Sequence, residues 1–517
     1  MPFSLRSRSR VAQLLNASRR GKRSKQPSSL RNRRSGLVGI QPLEERRLLS
    51  INLNGNEIFV NTAFTGGNQD DAAAAIQPLT NNGTTATAAT NSVIVWESDG
   101  EDGSGDSLRF RRYNPFSGAL LGGIVNPVGA TLGDQSNPAV AMRSTGEFVV
   151  VWQGQGTGDT DGIFFRRFTS AGAPIGAEVL ANAGFTAGVQ SNPSIAIDNS
   201  DGSFIVTWES PDSDGSGIFA RYFTNLGASV ANQFQVNVDA AGNQRNPVVA
   251  MDGIGQFVVA WDSDSVANGK DIIARKFNNS AGLPTPFTGD FAVTTTAGDQ
   301  TLPSVSMDNP GRLIVAWAGP GAGDADGGIY ARRYTEDSVP VPSPEGEFLV
   351  NSITTGVQTR PSVQLHRPPT TTSQTVFSRG FVVSWQGPEA PGLGNAVFAR
   401  GYNDADPASP RGLENIIHNA PRANDQGVPS VAMDSTGAGI ISFQSNMSGT
   451  DTVGYGVYAR RYTRLNNPPV ANSVMLNVDE DSLPNIINLF DPQFVTDADG
   501  DVLTFNVNGA GGTVVPQ

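Results

Sequence analysis

Residues 137–168 read Asn137-Pro138-Ala139-Val140-Ala141-Met142, then Phe148-Val149-Val150-Val151-Trp152, then Ile163-Phe164-Phe165-Arg166-Arg167-Phe168, three short apolar runs separated by turn residues. Runs rich in Val, Ile and aromatics and bounded by Gly, Asp and Pro are strands. The same order returns along the chain. The second run closes on Trp at 96, 152, 208, 261, 317 and 385, the chain's six Trp, and one further copy, Gly439-Ile440-Ile441-Ser442-Phe443, places Phe there. Steps of 56, 56, 53, 56, 68 and 58 residues therefore count seven copies of one unit. A fourth strand follows in all but the last unit, as in Gly346-Glu347-Phe348-Leu349-Val350-Asn351, and ends in Gly-x-Gln such as Gly356-Val357-Gln358. Four strands per unit with no helical period predict propeller blades.

The ends of the repeat decide between a solenoid and a ring. The closing Gln occurs at 69, 135, 190, 244, 300, 358 and 426, so its series starts one strand before the Trp series. Residues 57–61 then form a fourth strand with no earlier strands in front of them. The last unit stops at Ala459-Arg460-Arg461-Tyr462 without a fourth strand, because Asn466-Asn467-Pro468-Pro469 intervenes. A solenoid would expose both edges, whereas a ring pairs residues 57–61 with 455–462 and removes them. The expectation is an all-β, seven-bladed propeller over residues 51–464, closed by an N-terminal strand. The opening strand of blade one is expected at residues 72–79, and blade six carries a Thr/Pro-rich insertion, 366–379, as a candidate binding loop.

Composition bounds the chemistry. The 517 residues contain no Cys and two His, His366 and His418, far apart in sequence. That excludes disulfide scaffolds and thiolate metal sites and weakens a serine triad or a His-rich zinc site. No run of 18 apolar residues predicts a membrane-spanning helix. Residues 1–50 hold thirteen Lys/Arg against two Glu, so the rest of the chain carries a net charge of -23 out of a total of -12. An acidic body argues against nucleic acid as a partner. Residues 1–50 are read as a basic export or targeting segment outside the fold, and 465–517 as a linker with a partial further module.

Some polar residues recur with the blades. The third strand carries Arg111, Arg166, Arg221, Arg275, Arg332, Arg400 and Arg460, each alternating with aromatics. Seven equivalents at seven blade positions cannot converge on one ligand, so they are read as glue between blades, stacked on aromatics and paired with a carboxylate. Asp198, Asp252, Asp308 and Asp434 are the candidate partners. Loops between the second and third strands carry Asp159 with Asp161, Asp212 with Asp214, and Asp324 with Asp326, each before a Gly. Alternate carboxylates at a tight turn suit calcium, and Asp-Gly equally suits a plain hairpin.

Four features resemble known families. Pro42-Leu43-Glu44-Glu45-Arg46-Arg47-Leu48-Leu49 is similar to the LEPR-x-LL motif near the N termini of large exported bacterial proteins, with Glu45 where that motif has Pro; it implies a secreted or cell-surface location. The unit F-V-V-x-W, I-Y-A-R-R-Y, G-E-F-x-V-N resembles a propeller-type repeat of large secreted bacterial proteins. The D-x-x-G-x-φ-φ-x-W turns, where φ is apolar, faintly resemble sialidase Asp boxes without their full spacing. Asn466-Asn467-Pro468-Pro469-Val470-Ala471, Glu480-Asp481 and Asp497-Ala498-Asp499-Gly500-Asp501 resemble a bacterial cadherin-like or Ig-like module. That resemblance implies calcium held by Asp497, Asp499 and Asp501 with Glu480 and Asp481, an adhesive role, and further C-terminal modules in the full-length product. Since such sandwiches need about 100 residues, the chain stops partway through it.

The expected function is therefore a non-enzymatic surface protein that presents one propeller face to a carbohydrate or protein ligand, stiffened by calcium. The alternative is a sialidase-like or polysaccharide-degrading hydrolase, which requires acids and a Tyr or Arg gathered on one face in only some blades.

Overall fold

The computed structural model describes residues 51–463, apart from 63–65, 79–90, 102, 130–132, 267–268, 281–282, 310, 336–345, 367–379, 390–393, 404–409, 419–424, 436 and 447–453, together with 470–471 and 495–496. It is all-β over these residues: seven antiparallel sheets whose first strands pack side by side around one axis and close on themselves. The inner strands are Gln69–Ile76, Gln135–Met142, Ser191–Ile197, Gln244–Met251, Thr301–Met307, Thr359–Leu365 and Gln426–Met433. Each continues outward through the Trp-terminated strand and the Arg-bearing strand, as in blade three, where Phe204–Pro211 pairs with Ser216–Phe223 and that strand with Phe234–Gln235.

The ring closes as the strand count requires. Asn52–Phe59 pairs antiparallel with Gly456–Thr463, from Asn52 opposite Thr463 to Phe59 opposite Tyr458, and supplies the outer strand of blade seven. Beyond it, Val60 N donates to Val457 O at 2.9 Å, and Val457 N to Asn61 Oδ1 at 2.9 Å.

No core sits on the axis; the apolar core is divided into seven slabs, one between each pair of neighbouring blades. The slab between blades seven and one joins Val457 and Ala459 to Ile94, Trp96 and Tyr113. All six Trp, and Phe443 in the Trp place of blade seven, are essentially fully buried. A sheet flanked by two others buries both faces, so its central strand is apolar without alternation, as Phe148-Val149-Val150-Val151-Trp152 shows.

Two expectations about strand limits are corrected. Blade one opens at Gln69 rather than at residue 72, in the strand Gln69–Ile76. The recurrent Gln does not close a fourth strand but starts, or immediately precedes, the next inner one. Its side chain is buried in all seven blades, and it serves as a junction: Gln69 Oε1 accepts from Trp96 Nε1 at 3.0 Å and Gln300 Oε1 from Trp317 Nε1 at 3.1 Å.

Of the C-terminal segment only the short pair Val470–Ala471 with Val495–Thr496 is described, and most of the 366–379 insertion lies outside the described residues.

Candidate active site at the channel mouth

Two residues after each Gln the backbone turns left-handed. The residues there are Asp71, Asn137, Asn192, Asn246, Leu302, Arg360 and Val428, with φ between 42° and 53°. In six blades the next residue is Pro, and the ladder slips at this point in all seven, leaving a bulge. A bulge redirects a side chain off the sheet face. Here the redirected side chains reach one another around the axis: Asn137 Nδ2 lies 3.4 Å from Asn192 Oδ1, and Arg360 Nη1 3.9 Å from Asp71 Oδ1 across intervening blade seven. They form the rim of a central channel. Below it lies a cavity of about 170 Å³ walled by the inner strands, with Met142, Ile197, Met251 and Met433 but also Asn199, Gln364 and Ser435 among its lining.

A second set of side chains supports the rim. The residue after each Trp, and after Phe443 in blade seven, is Glu97, Gln153, Glu209, Asp262, Ala318, Gln386 and Gln444 in order. In five blades its side-chain oxygen accepts the rim N–H of the following blade. The pairs are Asn137 to Glu97 at 2.5 Å, Asn192 to Gln153 at 2.8 Å, Asn246 to Glu209 at 2.5 Å, Val428 to Gln386 at 3.3 Å and Asp71 to Gln444 at 3.2 Å. A neutral amide suffices for that task, so the carboxylates of blades one, three and four carry more than the repeat demands.

Blade one concentrates the excess. Burial, and then the neighbouring Asp71, push the Glu97 carboxyl up to about 8. Burial followed by Asp71 raises Asp70 to about 6, and burial raises Asp71 against the opposing pull of Arg360. Blade four has a weaker echo: burial lifts Asp262 to about 6 although Asn246 Nδ2 donates to it at 2.9 Å. A carboxylic acid still protonated near neutrality beside a carboxylate is the arrangement of a proton donor with a base.

The sequence-predicted residues fall elsewhere. All seven third-strand Arg donate through Nη1 to a backbone carbonyl of the preceding blade, Arg111 to Val60 O, Arg166 to Pro127 O, Arg221 to Ala181 O, Arg275 to Val236 O, Arg332 to Val293 O, Arg400 to Val350 O and Arg460 to Ile417 O, at 2.7 to 3.3 Å. Four of them lie over an aromatic two residues on, such as Arg275 over Phe277 at 5.3 Å. They do bind blade to blade, but through carbonyls rather than the suggested Asp residues. Asp252 and Asp434 cap their own turns, and Asp308 also pairs with Arg312.

The paired Asp of the loops share the rim's side of the molecule without joining it. Asp159 Oδ2 and Asp324 Oδ2 accept from Asn182 and Asn351 at 2.8 and 2.9 Å, and Asp212 Oδ2 from Gln235 at 3.1 Å. Asp161 N and Asp214 N return to Asp159 and Asp212, and Asp326 is exposed. Asp159, Asp212 and Asp324 thus brace their own loops, and among the described residues no three His, Asp or Glu gather as a metal site. Asp497, Asp499, Asp501, Glu480 and Asp481 lie outside the described residues.

Sequence reasoning passed over Asp70, Asp71, Glu97 and Arg360. The signal was present: aligned on the Gln, Asp71 and Arg360 occupy the Asn place of Asn-Pro, and Glu97 follows the Trp.

No protein-family profile and no curated protein matches the sequence. Solved structures do. An ulvan lyase of a new polysaccharide lyase family is 10% identical, with TM-score 0.46, over 80% of this chain and 94% of its own. A Penicillium chrysogenum α-L-arabinanase is 13% identical, with TM-score 0.40, over 64% and 93%. The phage phi92 endosialidase is 8% identical, with TM-score 0.42, over 89% and 76%. The likeness is one of fold. All three of these neighbours are glycan-cleaving enzymes by name, where the sequence led to the expectation of a non-enzymatic binding protein. The expectations of a non-enzymatic adhesion protein and of no catalytic activity are corrected accordingly. Among the described residues no helix is long and apolar enough to cross a membrane.

Proposed function

We propose that the propeller is a polysaccharide-cleaving enzyme whose site is the rim of the central channel. The observation that carries this reading is the chemistry of the rim: one acid, three amides, one Arg and two apolar residues at seven equivalent backbone positions. A sugar needs such a mixture, amides for hydroxyls and apolar side chains, here Leu302 and Val428, for C–H faces. Glu97 is the proton donor, kept neutral by burial and by its acidic neighbours, and Asp71 is the base. In hydrolysis the glycosidic C–O bond breaks as Glu97 gives its proton to the leaving oxygen. Water adds to the anomeric carbon, and its proton passes to Asp71. Atoms and charge balance, and no cofactor is required.

The test is incubation of the full chain with arabinan, ulvan, pectin and polysialic acid, reading new reducing ends and the absorbance of unsaturated sugar products. Reducing ends produced by the native chain and lost in Glu97→Gln and Asp71→Asn support the reading. A blank across all glycans, or activity retained in both variants, sinks it. We propose further that the protein works outside the cell, which the acidic Cys-free body and the motif at residues 42–49 support, and that residues 465–517 belong to a cadherin-like module, which Asn466–Ala471 and Asp497–Asp501 support.

A further inference from the structure

Arg360 differs from every other rim residue and from every repeating Arg. It stands in left-handed backbone, φ 52°, where three other blades place Asn, a residue that tolerates that conformation. A long side chain held there carries a cost of order 1 kcal/mol that the fold does not require. The guanidinium is half exposed, and among the described residues its one polar contact is the 3.9 Å approach of Nη1 to Asp71, with no hydrogen bond from them to its planar donor fork. The third-strand Arg, by contrast, each spend theirs on a neighbouring carbonyl. A single contact at 3.9 Å on a half-exposed pair contributes little stability, so Arg360 is held at the mouth without being used by the fold.

We propose that Arg360 is the recognition residue for a carboxylate on the sugar seated at the rim, making the substrate class an acidic glycan. The inference deepens the glycan-cleaving reading and rests on it for the chemistry, though not for the binding. A carboxylate matches the guanidinium fork with two parallel hydrogen bonds, which the present contact with Asp71 does not make. Its arrival draws Arg360 away from Asp71. Because Arg360 is the group that lowers the Asp71 carboxyl against its burial, the same event strengthens Asp71 as a base. Asn137, Asn192 and Asn246, on the arc facing blade six across the channel, are placed for the hydroxyls.

The experiment is calorimetric titration of the full chain with trigalacturonate, triguluronate and a sialic acid trimer, each against its methyl ester, in the native protein, Arg360→Gln and Arg360→Lys. At least one acid is expected to bind tenfold or more tighter than its ester. Arg360→Gln should lose that preference while keeping the ester's affinity, and Arg360→Lys should keep part of it, since a point charge replaces a fork. The three acids separate a uronate from a sialate as the source of the carboxylate. Equal affinity for acid and ester throughout, or a preference unchanged in Arg360→Gln, overturns the proposal. A melting curve of Arg360→Gln within about 2 °C of native confirms that the loss is not unfolding. Acid preference with no cleavage of any glycan sinks the enzymatic reading alone, and cleavage without acid preference sinks this one alone.

Discussion

Replacing Glu97 with Gln separates the structural duty of the rim support from its chemistry. The substitution is nearly isosteric, and Gln already does the structural work at 153, 386 and 444, where its oxygen accepts the next blade's rim N–H at 2.8 to 3.3 Å. The bond from Asn137 N therefore survives. What disappears is a carboxyl raised from 4.5 to about 8 by burial and by Asp71. A group whose pKa is higher folded than unfolded binds its proton more tightly in the native state, so its contribution to stability is full below about pH 4.5 and is lost as pH rises toward 8. At about 1.4 kcal/mol per unit, and discounting for relaxation around a coupled cluster, the loss is roughly 2–4 kcal/mol. At about 2 cal/mol/K per residue, a propeller of some 400 residues unfolds with an entropy near 0.8 kcal/mol/K, so the loss reads as about 2–5 °C. The assay is a pair of melting curves at pH 5.5 and 8.5 for native and E97Q proteins. The native protein should lose about 2–5 °C more than the variant between the two pH values, and E97Q should be the more stable at pH 8.5. A variant that keeps the native pH dependence, or that melts far lower at both pH values, refutes the placement of a buried neutral acid at residue 97.

Other expectations follow from particular contacts. Deleting residues 51–61 strips blade seven of its outer strand and removes the buried Ile51 and Val60; with about 1.5–3 kcal/mol lost per side chain and a bare edge exposed, the product should oligomerise on size exclusion and melt well below the native chain. Arg221→Met removes donors to Ala181 O, Ala183 O and Ala231 O and should cost roughly 2–3 kcal/mol in denaturant titration. Leu302→Asn relieves a left-handed Leu at φ 53° and should stabilise by about 0.5–1 kcal/mol by the same titration. Glycan cleavage, if Glu97 donates the proton, should decline as pH rises through about 8 in a pH–rate profile.

The blade count, the all-β class and the closure of the ring are legible in one dimension because each is a matter of period. Trp and Gln recur with the blade, a central strand buried on both faces shows as an unbroken apolar run, and the mismatch between the two series exposes Asn52–Phe59 as a strand in need of Gly456–Thr463. Repetition by itself also marks Arg111 and its equivalents as structural. The site is the opposite case. Asp71 and Arg360 are 289 positions apart, and only curling the chain through seven blades sets them 3.9 Å apart. Glu97 reads as one more polar residue after a Trp until burial and the convergence of Asp70 and Asp71 raise its carboxyl. Strand pattern is set by neighbours along the chain, while desolvation and through-space charge depend on what the closed ring brings to its axis.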